Sequence, residues 1–342
     1  MTDGVSVVAD LWGQALRRLG WRTTTIAGEG PVDHVMPGLA IGASQPPSAA
    51  ELKQALEPCD LVIVENLLSI PLNLAASAVV AEVLAGRPAI LHHHDPPWQR
   101  ARFAHITELP PDDQSWRHVT INRLTERQFA DRGLNATTIY NGFDVNPPAG
   151  RRDRTRSLLG VARDETLVAH PVRAIARKNI PAALRLCEAL DATYWIPGQA
   201  EEDYGPEFER LLATTAARVT RRRIDRTEIT MSDLYAACDL VAYPSTWEGF
   251  GNPPIEAAIH RRPAAVGDYP VADELRGLGF EWLDPEDHES VAAELRNPSA
   301  VTLANNRRLV EQHLSEARME AGIARLLDDR GWGAPPRPTD TS

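Results

Sequence analysis

Lysine is nearly absent from this chain of 342 residues. Only Lys53 and Lys178 occur among its 36 Lys and Arg residues, so arginine carries almost all of the positive charge. Acidic residues outnumber basic ones by 47 to 36, which gives a net charge of −11. A protein that binds nucleic acid through its phosphates needs a basic surface. The charge balance therefore excludes a general nucleic-acid binder and makes the position of each lysine worth following.

Cysteine is also scarce, and long apolar runs are missing. The three cysteines (Cys59, Cys187 and Cys238) are scattered and form no CxxC pair, which excludes a disulfide framework and a thiolate metal site. No segment approaches the roughly 20 apolar residues that a membrane helix needs. The N-terminus lacks the basic start and apolar core of a signal peptide. We therefore expect a cytoplasmic protein without an integral membrane segment.

Short apolar segments rich in β-branched residues recur along the chain. Amphipathic stretches separate them, and this alternation is typical of parallel βαβ units in doubly wound sheets. The segments are nearly continuous in Val, Ile, Leu, Ala and Thr, as expected for strands covered on both faces. The predicted strands are 23–27, 60–64, 88–91, 118–121 and 137–140 in a first series, and 166–170, 193–197, 239–243 and 263–267 in a second.

A polar, proline-containing stretch at 145–156 divides the two series. We predict an N-terminal Rossmann-like domain at 1–146, a C-terminal one at 147–330 whose last helix packs back on the first domain, and a disordered tail at 331–342. Such a domain ordinarily opens with a strand, whereas here Thr2-Asp3-Gly4 leads directly into a helix. Either the first strand is missing or the start of the chain is assigned too late.

The third strand of the second series is followed by a dense group of polar residues and glycines. Open α/β sheets bind ligands at the carboxyl ends of their strands. There the chain reads E-G-F-G-N-P-P-I-E from Glu248 to Glu256. The glycines let backbone N–H groups approach a ligand, and Asn252 with the next proline predicts a helix N-terminus, which attracts anions or hydroxyls. A mere capping role for Glu256 is disfavoured, because Ile255 holds the capping-box position.

Two basic residues follow the first strand of the second series. Arg173 and Lys178 can hold a diphosphate there, the arginine as a fork and the lysine as a point charge. Basic residues before a helix are otherwise often just solvated. A helix N-terminus is, however, an unfavourable site for cations unless an anion binds there too. The position of one of only two lysines supports an anion site.

Three adjacent histidines, His92, His93 and His94, follow the strand predicted at 88–91, and Asp95 comes next. They cannot all point one way, because alternate residues of a strand face opposite sides. His92 and His94 with Asp95 could in principle ligate a metal, but no further cluster closes the ligand shell. We instead expect His94, or His93 as a second choice, to bind a polar substrate, with Asp95 and Trp98 lining the crevice.

Together these motifs resemble the family-4 retaining glycosyltransferases of the GT-B fold (glycosyl transferases group 1). The resemblance rests on 248–256, on Arg173 and Lys178, on Y-N-G-F-D at 140–144, on His94-Asp95 and on Gly4. It implies two Rossmann-like, doubly wound parallel-sheet domains that face a cleft. It also implies an enzyme that moves a hexose, preferably glucose or mannose, from a UDP-, GDP- or ADP-sugar to a hydroxyl acceptor, without a metal cofactor.

The resemblance further implies roles for single residues. Glu256 would bind the nucleotide ribose, Glu248 the donor sugar, and Arg173 with Lys178 the departing diphosphate. His94 would contact the sugar near its reacting carbon, and Gly4 would let the backbone approach the phosphates. The implied donor-binding set is Gly4, Arg173, Lys178, Glu248, Gly249, Phe250, Gly251, Asn252 and Glu256, and the implied catalytic set is His94, Arg173, Lys178 and Glu248.

The acceptor stays open between a small glycoside, such as a glycosyl-glycerate, and a cell-envelope glycan or glycolipid. Trp12, Arg17 and Arg18 in the first helix would allow peripheral contact with the inner membrane face, although a buried helix explains its apolar side better. Two other functions also stay open. One is another GT-B enzyme, such as a nucleotide-sugar epimerase, and the other is a non-catalytic protein that binds nucleotide sugars.

Overall fold

The computed structural model describes residues 4–333, except 71, 104 and 226. The chain divides into two compact units. The C-terminal unit is Phe143–Ser315, and the N-terminal unit combines the chain up to Gly142 with the chain from Glu316 onward. The tail expected from residue 331 lies outside the described residues from position 334 onward.

The N-terminal unit contains a small strand pair and a four-stranded sheet. Its strands are β1 (Ile26–Ala27), β2 (His34–Val35), β3 (Val62–Glu65), β4 (Ala89–His93), β5 (Trp116–Thr120) and β6 (Ala136–Thr138). The sheet has the order β3-β4-β5-β6 and is parallel throughout, whereas β1 and β2 pair with each other in a separate sheet. The strand predicted at 23–27 therefore exists only as its last two residues and lies outside the main sheet. β4 is buried over its whole length, as a central parallel strand must be.

Helices connect the strands of this unit: α1 (Gly4–Arg18), α2 (Ala49–Leu56), α3 (Leu74–Leu84) and α4 (Arg123–Ala130). Polar side chains define where three of them start. Ser48 and Glu51 form a reciprocal capping box at α2, and the amide oxygens of Asn73 and Asn122 accept backbone N–H groups at α3 and α4. Within the described residues, which begin at Gly4, no strand precedes α1.

The C-terminal unit is built on a second parallel sheet. Its strands are β7 (Leu167–Ala169), β8 (Thr193–Trp195), β9 (Arg218–Thr220), β10 (Leu240–Tyr243) and β11 (Ala264–Val266), in the order β11-β10-β7-β8-β9. All but β9 lie within predicted segments. The sequence did not indicate β9 because this edge strand is short and none of its residues is fully buried, so its residues show no apolar run.

Eight helices of this unit surround the sheet: α5 (Arg152–Leu159), α6 (Ile180–Ala189), α7 (Gly205–Thr214), α8 (Met231–Ala237), α9 (Asn252–Ile259), α10 (Pro270–Arg276), α11 (His288–Arg296) and α12 (Ala300–Leu309). The first of them begins inside the polar stretch that separates the two strand series. Arg156 of α5 is buried and pairs with Asp239 at 3.2 Å, while Arg151 just before α5 pairs with Asp233 at 2.5 Å. The ion pairs of these two arginines thus hold α5 against the rest of the C-terminal unit.

The last helix among the described residues is α13 (Glu316–Asp329), which follows α12 and a π-helical turn and packs against α1. Residues at helical spacing on both helices share one buried cluster: Val8, Trp12, Ala15 and Leu16 from α1 with Met319, Ile323, Leu326 and Leu327 from α13. Only 1% of Trp12 is exposed. The apolar side of α1 is therefore covered by protein, and Trp12 is not placed to touch a membrane surface.

Candidate functional site

Two loops of the C-terminal unit meet at the carboxyl ends of β7 and β10. These strands are neighbours in the sheet, so the loops that follow them lie side by side. The backbone N–H of Thr246 donates to the carbonyl oxygen of Arg177 at 2.9 Å, and the Arg177 guanidinium donates to the carbonyl oxygen of Trp247 at 2.9 Å. The two loops are therefore linked by hydrogen bonds.

The carboxylate of Glu248 lies between two cations at this junction. Its Oε1 atom is 2.5 Å from Nζ of Lys178, and its Oε2 atom is 2.6 Å from Nη1 of Arg177. Nζ of Lys178 also donates to the hydroxyl of Tyr243 at 3.3 Å. Glu248 and Lys178 are both buried. The sequence motifs around positions 173–178 and 248–256 are thus brought together by one buried ion-pair network.

Burial and charge set the protonation states of this network. Burial raises the pKa of Glu248, but the positive charges of Lys178 and Arg177 outweigh it and hold that pKa at about 2. Burial lowers the pKa of Lys178 to about 8, although Glu248 partly offsets this effect. Burial, aided by the charge of Lys178, lowers the pKa of His170 to about 3. At neutral pH the glutamate and the lysine are charged and the histidine is neutral.

Arg173 lies apart from this carboxylate. Its Nη1 atom is 2.8 Å from Oε2 of Glu201, in an ion pair whose two side chains are partly exposed. Such a pair is weak, so Arg173 can exchange its partner for another anion. Arg177, which was not singled out from the sequence, occupies the second position on Glu248. In the sequence it is marked only by its position next to Lys178. The structure places both residues in one short 3₁₀ turn.

The N-terminus of α9 lies in the same loop. Its cap is Gly251, with φ of +101°, and no side chain caps the helix, so the prediction of Asn252 as the cap is off by one residue. A Cβ at Gly251 would lie 2.3 Å from the hydroxyl of Tyr269, so both the backbone conformation and the packing require glycine. Pro253 and Pro254 follow, and they carry no N–H. Gly251 and Asn252 therefore supply the N–H groups of this first turn.

Glu256 has a different environment from Glu248. It lies in α9, where its Oε2 atom accepts a hydrogen bond from the hydroxyl of Tyr235 in α8. Burial raises its pKa, and the hydrogen bond from Tyr235 offsets only part of that effect. It does not cap α9, so the capping alternative is wrong. One glutamate is thus strongly acidic and paired with cations, and the other is paired with a neutral phenol.

The three histidines of the N-terminal unit alternate as the strand geometry predicts. Nε2 of His94 and Nδ1 of His92 both lie 2.9 Å from Oε2 of Glu65. His93 points to the opposite side, where its Nδ1 atom is 2.5 Å from the hydroxyl of Ser69 and its Nε2 atom is 2.8 Å from Nδ1 of His118. Burial lowers the pKa of His92 and of His93.

The other residues predicted around these histidines have partners of their own. Asp95 pairs with Arg100 at 2.7 Å, and the indole N–H of Trp98 donates to Gln128 at 2.8 Å. Asp95 therefore does not join His92 and His94. Gly4 is the first residue of α1, and among the described residues outside its own stretch of chain none lies within 4 Å of a Cβ built on it.

Asn66, which fixes the backbone after β4, was not singled out from the sequence. Its side-chain oxygen accepts the backbone N–H of His94 at 3.0 Å and that of Asp95 at 3.1 Å. Asn66 itself has a φ of +60°, a conformation that asparagine tolerates better than most residues. Glu65 was also missed, because its role depends on the pairing of β3 with β4, which places Glu65 opposite His92.

Comparison with known proteins gives several matches. Residues 174–298 match the family model described as Glycosyl transferases group 1. The mannosylglucosylglycerate synthase of Petrotoga mobilis is 25% identical over 82% of this chain and 83% of that protein. A solved structure of Anabaena HepE in complex with UDP and glucose has a TM-score of 0.65 at 22% identity, over 82% of this chain and 81% of that one. The sucrose-phosphate synthase of Thermosynechococcus elongatus has a TM-score of 0.71 at 16% identity, over 97% and 95% of the two chains.

These findings confirm the predicted resemblance to glycosyl transferases group 1, the GT-B fold and the expectation of a transferase enzyme. The family match covers the loops that carry Lys178 and Glu248. Among the described residues, no helix is both long and apolar enough to cross a membrane.

Proposed function

Taking the chain as a glycosyltransferase of the GT-B fold, we propose that it is a retaining enzyme that moves a hexose from a nucleoside diphosphate sugar to a hydroxyl group of a small glycoside. The C-terminal unit would bind the donor. The N-terminal unit would bind the acceptor, with His94 as a contact of the transferred sugar. The observation that carries this proposal is the buried network of Lys178, Arg177 and Glu248 beside the uncapped start of α9.

The charges of this network suit a diphosphate. Arg173, Arg177 and Lys178 bring three positive charges to one loop, and Glu248 neutralises only one of them. The N–H groups of Gly251 and Asn252 add the positive end of a helix dipole. Arg173 would leave its exposed partner Glu201 and bind the phosphates as a fork. The cations already present would thus neutralise the diphosphate without a divalent metal.

Glu248 and Glu256 can each accept hydrogen bonds from the hydroxyl groups of one of the two sugar rings of the donor. An ionised carboxylate accepts hydrogen bonds and has room for two hydroxyl groups. Glu256, fixed by Tyr235, would hold the ribose of the nucleotide. Glu248, fixed by Lys178 and Arg177, would accept hydroxyl groups of the hexose, and the loop from Gly249 to Asn252 would present its backbone N–H groups to the same ring.

The reaction needs stabilisation of charge at the leaving group. As the bond from the hexose to the β-phosphate breaks, negative charge grows on the phosphate oxygens and positive charge grows on the sugar ring. Lys178 and Arg173 would stabilise the negative charge, and one such preorganised donor is typically worth about 10²–10³ in rate. We propose retention of the anomeric configuration without a covalent enzyme intermediate, in line with the family that the chain resembles.

The relatives suggest which substrates to try first. The name mannosylglucosylglycerate synthase describes a product in which mannose is joined to glucosylglycerate. We therefore propose a mannose donor and a glucosylglycerate acceptor as the first pair, ahead of glucose donors and of cell-envelope glycolipids. The nucleotide base is to be found among UDP, GDP and ADP.

A thermal-shift panel of UDP-, GDP- and ADP-sugars tests the proposal directly. A ligand that binds the folded chain stabilises it by RT ln(1 + [L]/Kd), so the cognate donor raises the melting temperature. The donors that bind are then incubated with glucosylglycerate, and the product and the free nucleoside diphosphate are measured. Transfer identifies a glycosyltransferase. Binding without transfer or release would favour a non-catalytic nucleotide-sugar-binding protein, and conversion of the donor sugar alone would favour an epimerase.

A further inference from the structure

We propose that Glu65, His92 and His94 form a zinc site at the carboxyl ends of β3 and β4. One carboxylate oxygen and two ring nitrogens converge there, and all three candidate ligand atoms lie within 4.8 Å of one another. The proposal bears on the proposed function, because His94, the proposed contact of the transferred sugar, would then reach that sugar through the bound ion. Metal binding alone tests it, so it can fail while the transferase activity stands.

His92 provides the strongest indication. Its side chain is fully buried, yet neither ring nitrogen has a hydrogen-bond partner among the described residues. Its Nδ1 atom lies 2.9 Å from Oε2 of Glu65 in an ion-pair contact. A buried polar atom without a partner is costly, and most such atoms in native proteins are satisfied. A cation on Nδ1 would satisfy this atom.

The distances suit zinc after a small adjustment. Oε2 of Glu65 is 2.9 Å from Nδ1 of His92 and 2.9 Å from Nε2 of His94. Zinc binds imidazole nitrogen and carboxylate oxygen at about 2.0–2.2 Å in a tetrahedron, which places its ligand atoms roughly 3.3 Å apart. Each of these two separations would therefore widen by a few tenths of an ångström to admit the ion.

The surroundings hold the three ligands in position. Glu65 and His92 are opposite each other in the paired strands β3 and β4, and His94 is two residues further along the chain. The side chain of Asn66 binds the backbone N–H of His94 at 3.0 Å, and the ring of Trp12 packs on that of His92 with 4.3 Å between centroids.

The ligand set favours zinc over harder cations. Two imidazoles and one carboxylate suit zinc, whereas magnesium and calcium prefer oxygen ligands only. Three protein ligands leave a fourth position for water or for a hydroxyl oxygen of a ligand. The sequence offered Asp95 as the third ligand and no further residue to complete the coordination shell of a metal. The structure pairs Asp95 with Arg100 and supplies Glu65 in its place.

Metal titration of the untagged full-length chain tests the proposal. After treatment with a chelator, Zn²⁺ is added with calorimetric detection, and Co²⁺ is added while the visible absorption of a four-coordinate cobalt ion is followed. We expect one ion per chain. Glu65→Gln and His92→Gln should each weaken zinc binding more than about 10-fold. The matched controls are His93→Gln, on the same strand but facing the other way, and Asp95→Asn, and both should bind as the wild type does.

Two results would overturn the proposal. One is the absence of stoichiometric Zn²⁺ binding by the folded wild-type chain, which needs no variant. The other is unchanged affinity in Glu65→Gln, whose carboxyl is partly exposed, so that its replacement disturbs the core least. Circular dichroism of each variant separates loss of the site from loss of the fold.

Discussion

Lys178 and Glu248 form an ion pair of 2.5 Å in which both side chains are buried. They come from loops separated by 70 positions along the chain, and neighbouring parallel strands bring them together. A buried pair is a poor source of stability, because desolvation of both charges offsets their attraction. The pair keeps a cation oriented at the carboxyl end of the sheet, where we propose that the donor diphosphate binds.

Replacement of Lys178 should abolish most of the turnover. Lys178→Ala removes a cation that stabilises the leaving diphosphate, so we expect kcat to fall about 10²–10³-fold. The chain offers a natural control in its other lysine, since Lys53→Ala in α2 should leave kcat unchanged. Steady-state kinetics with the cognate donor measures both effects. Similar rates in the two variants would remove Lys178 from the proposed mechanism.

Arg177 and Arg173 should differ in what their loss changes. Arg177 holds Glu248, so Arg177→Ala frees one carboxylate oxygen and disturbs the sugar-binding carboxylate as well as the charge balance. Among the described residues, the ion pair of Arg173 is with exposed Glu201, so Arg173→Ala should leave the fold intact and act on the bound donor. We expect Arg173→Ala to lower kcat without a change in melting temperature, and Arg177→Ala to lower both. A loss of stability in Arg173→Ala alone would contradict this assignment.

The pH dependence of turnover should reflect the lowered pKa of Lys178. With a pKa of about 8, the lysine loses its charge as the pH rises through that value, and kcat should fall with it. The unperturbed lysine would stay charged to about pH 10. A profile of kcat against pH from 6 to 10, with controls for protein stability, measures this fall at high pH. A flat profile to pH 10 would mean that Lys178 is not the cation that limits turnover.

Glu248 should contribute to acid stability. Its pKa is about 2 in the folded chain and near 4.5 when unfolded, so the unfolded chain binds more protons between these values. The free energy of unfolding therefore falls as the pH drops from about 4.5 towards 2. Glu248→Gln should flatten that part of the curve, as urea titrations at several pH values would show. An unaltered slope in the variant would assign the acid sensitivity to other carboxylates.

Loss of Glu256 should weaken donor binding more than it slows transfer. Its carboxylate is held by Tyr235 and, as proposed, binds the ribose rather than the reacting bond. We expect Glu256→Ala to raise KM for the donor about tenfold or more, while kcat changes less. Exposed Glu289 of α11 provides the control, since Glu289→Ala should keep the wild-type KM. A fall in kcat at unchanged KM would place Glu256 at the reaction centre instead.

The strands that build the sheets were predictable because buried parallel strands are continuous apolar runs. β4, β7 and β10 illustrate this, since every residue in them is buried. The strand pair β1–β2 is short and neither strand is buried, so the apolar run at 23–27 overpredicted β1 and nothing indicated β2. Local motifs likewise singled out Lys178 and Glu248, because each follows a recognisable strand, and the structure brings the two into contact.

The residues that the sequence did not indicate act through contacts distant along the chain. Glu65 reaches the histidines only through the register of β3 against β4, and Arg177 reaches Glu248 only through the junction of two loops. Asn66 acts through its side chain on the backbone of His94. Such contacts depend on strand order and register, and neither can be predicted from local residue spacing or composition.

A time course of the anomeric proton signals by NMR, with the cognate donor and a small glycoside acceptor, tests the central claim most directly. If the account is right, the first product signal has the same anomeric configuration as the donor sugar, and it does not form with Lys178→Ala on the same time scale. A first product of inverted configuration, or no transfer from any UDP-, GDP- or ADP-sugar, would contradict it.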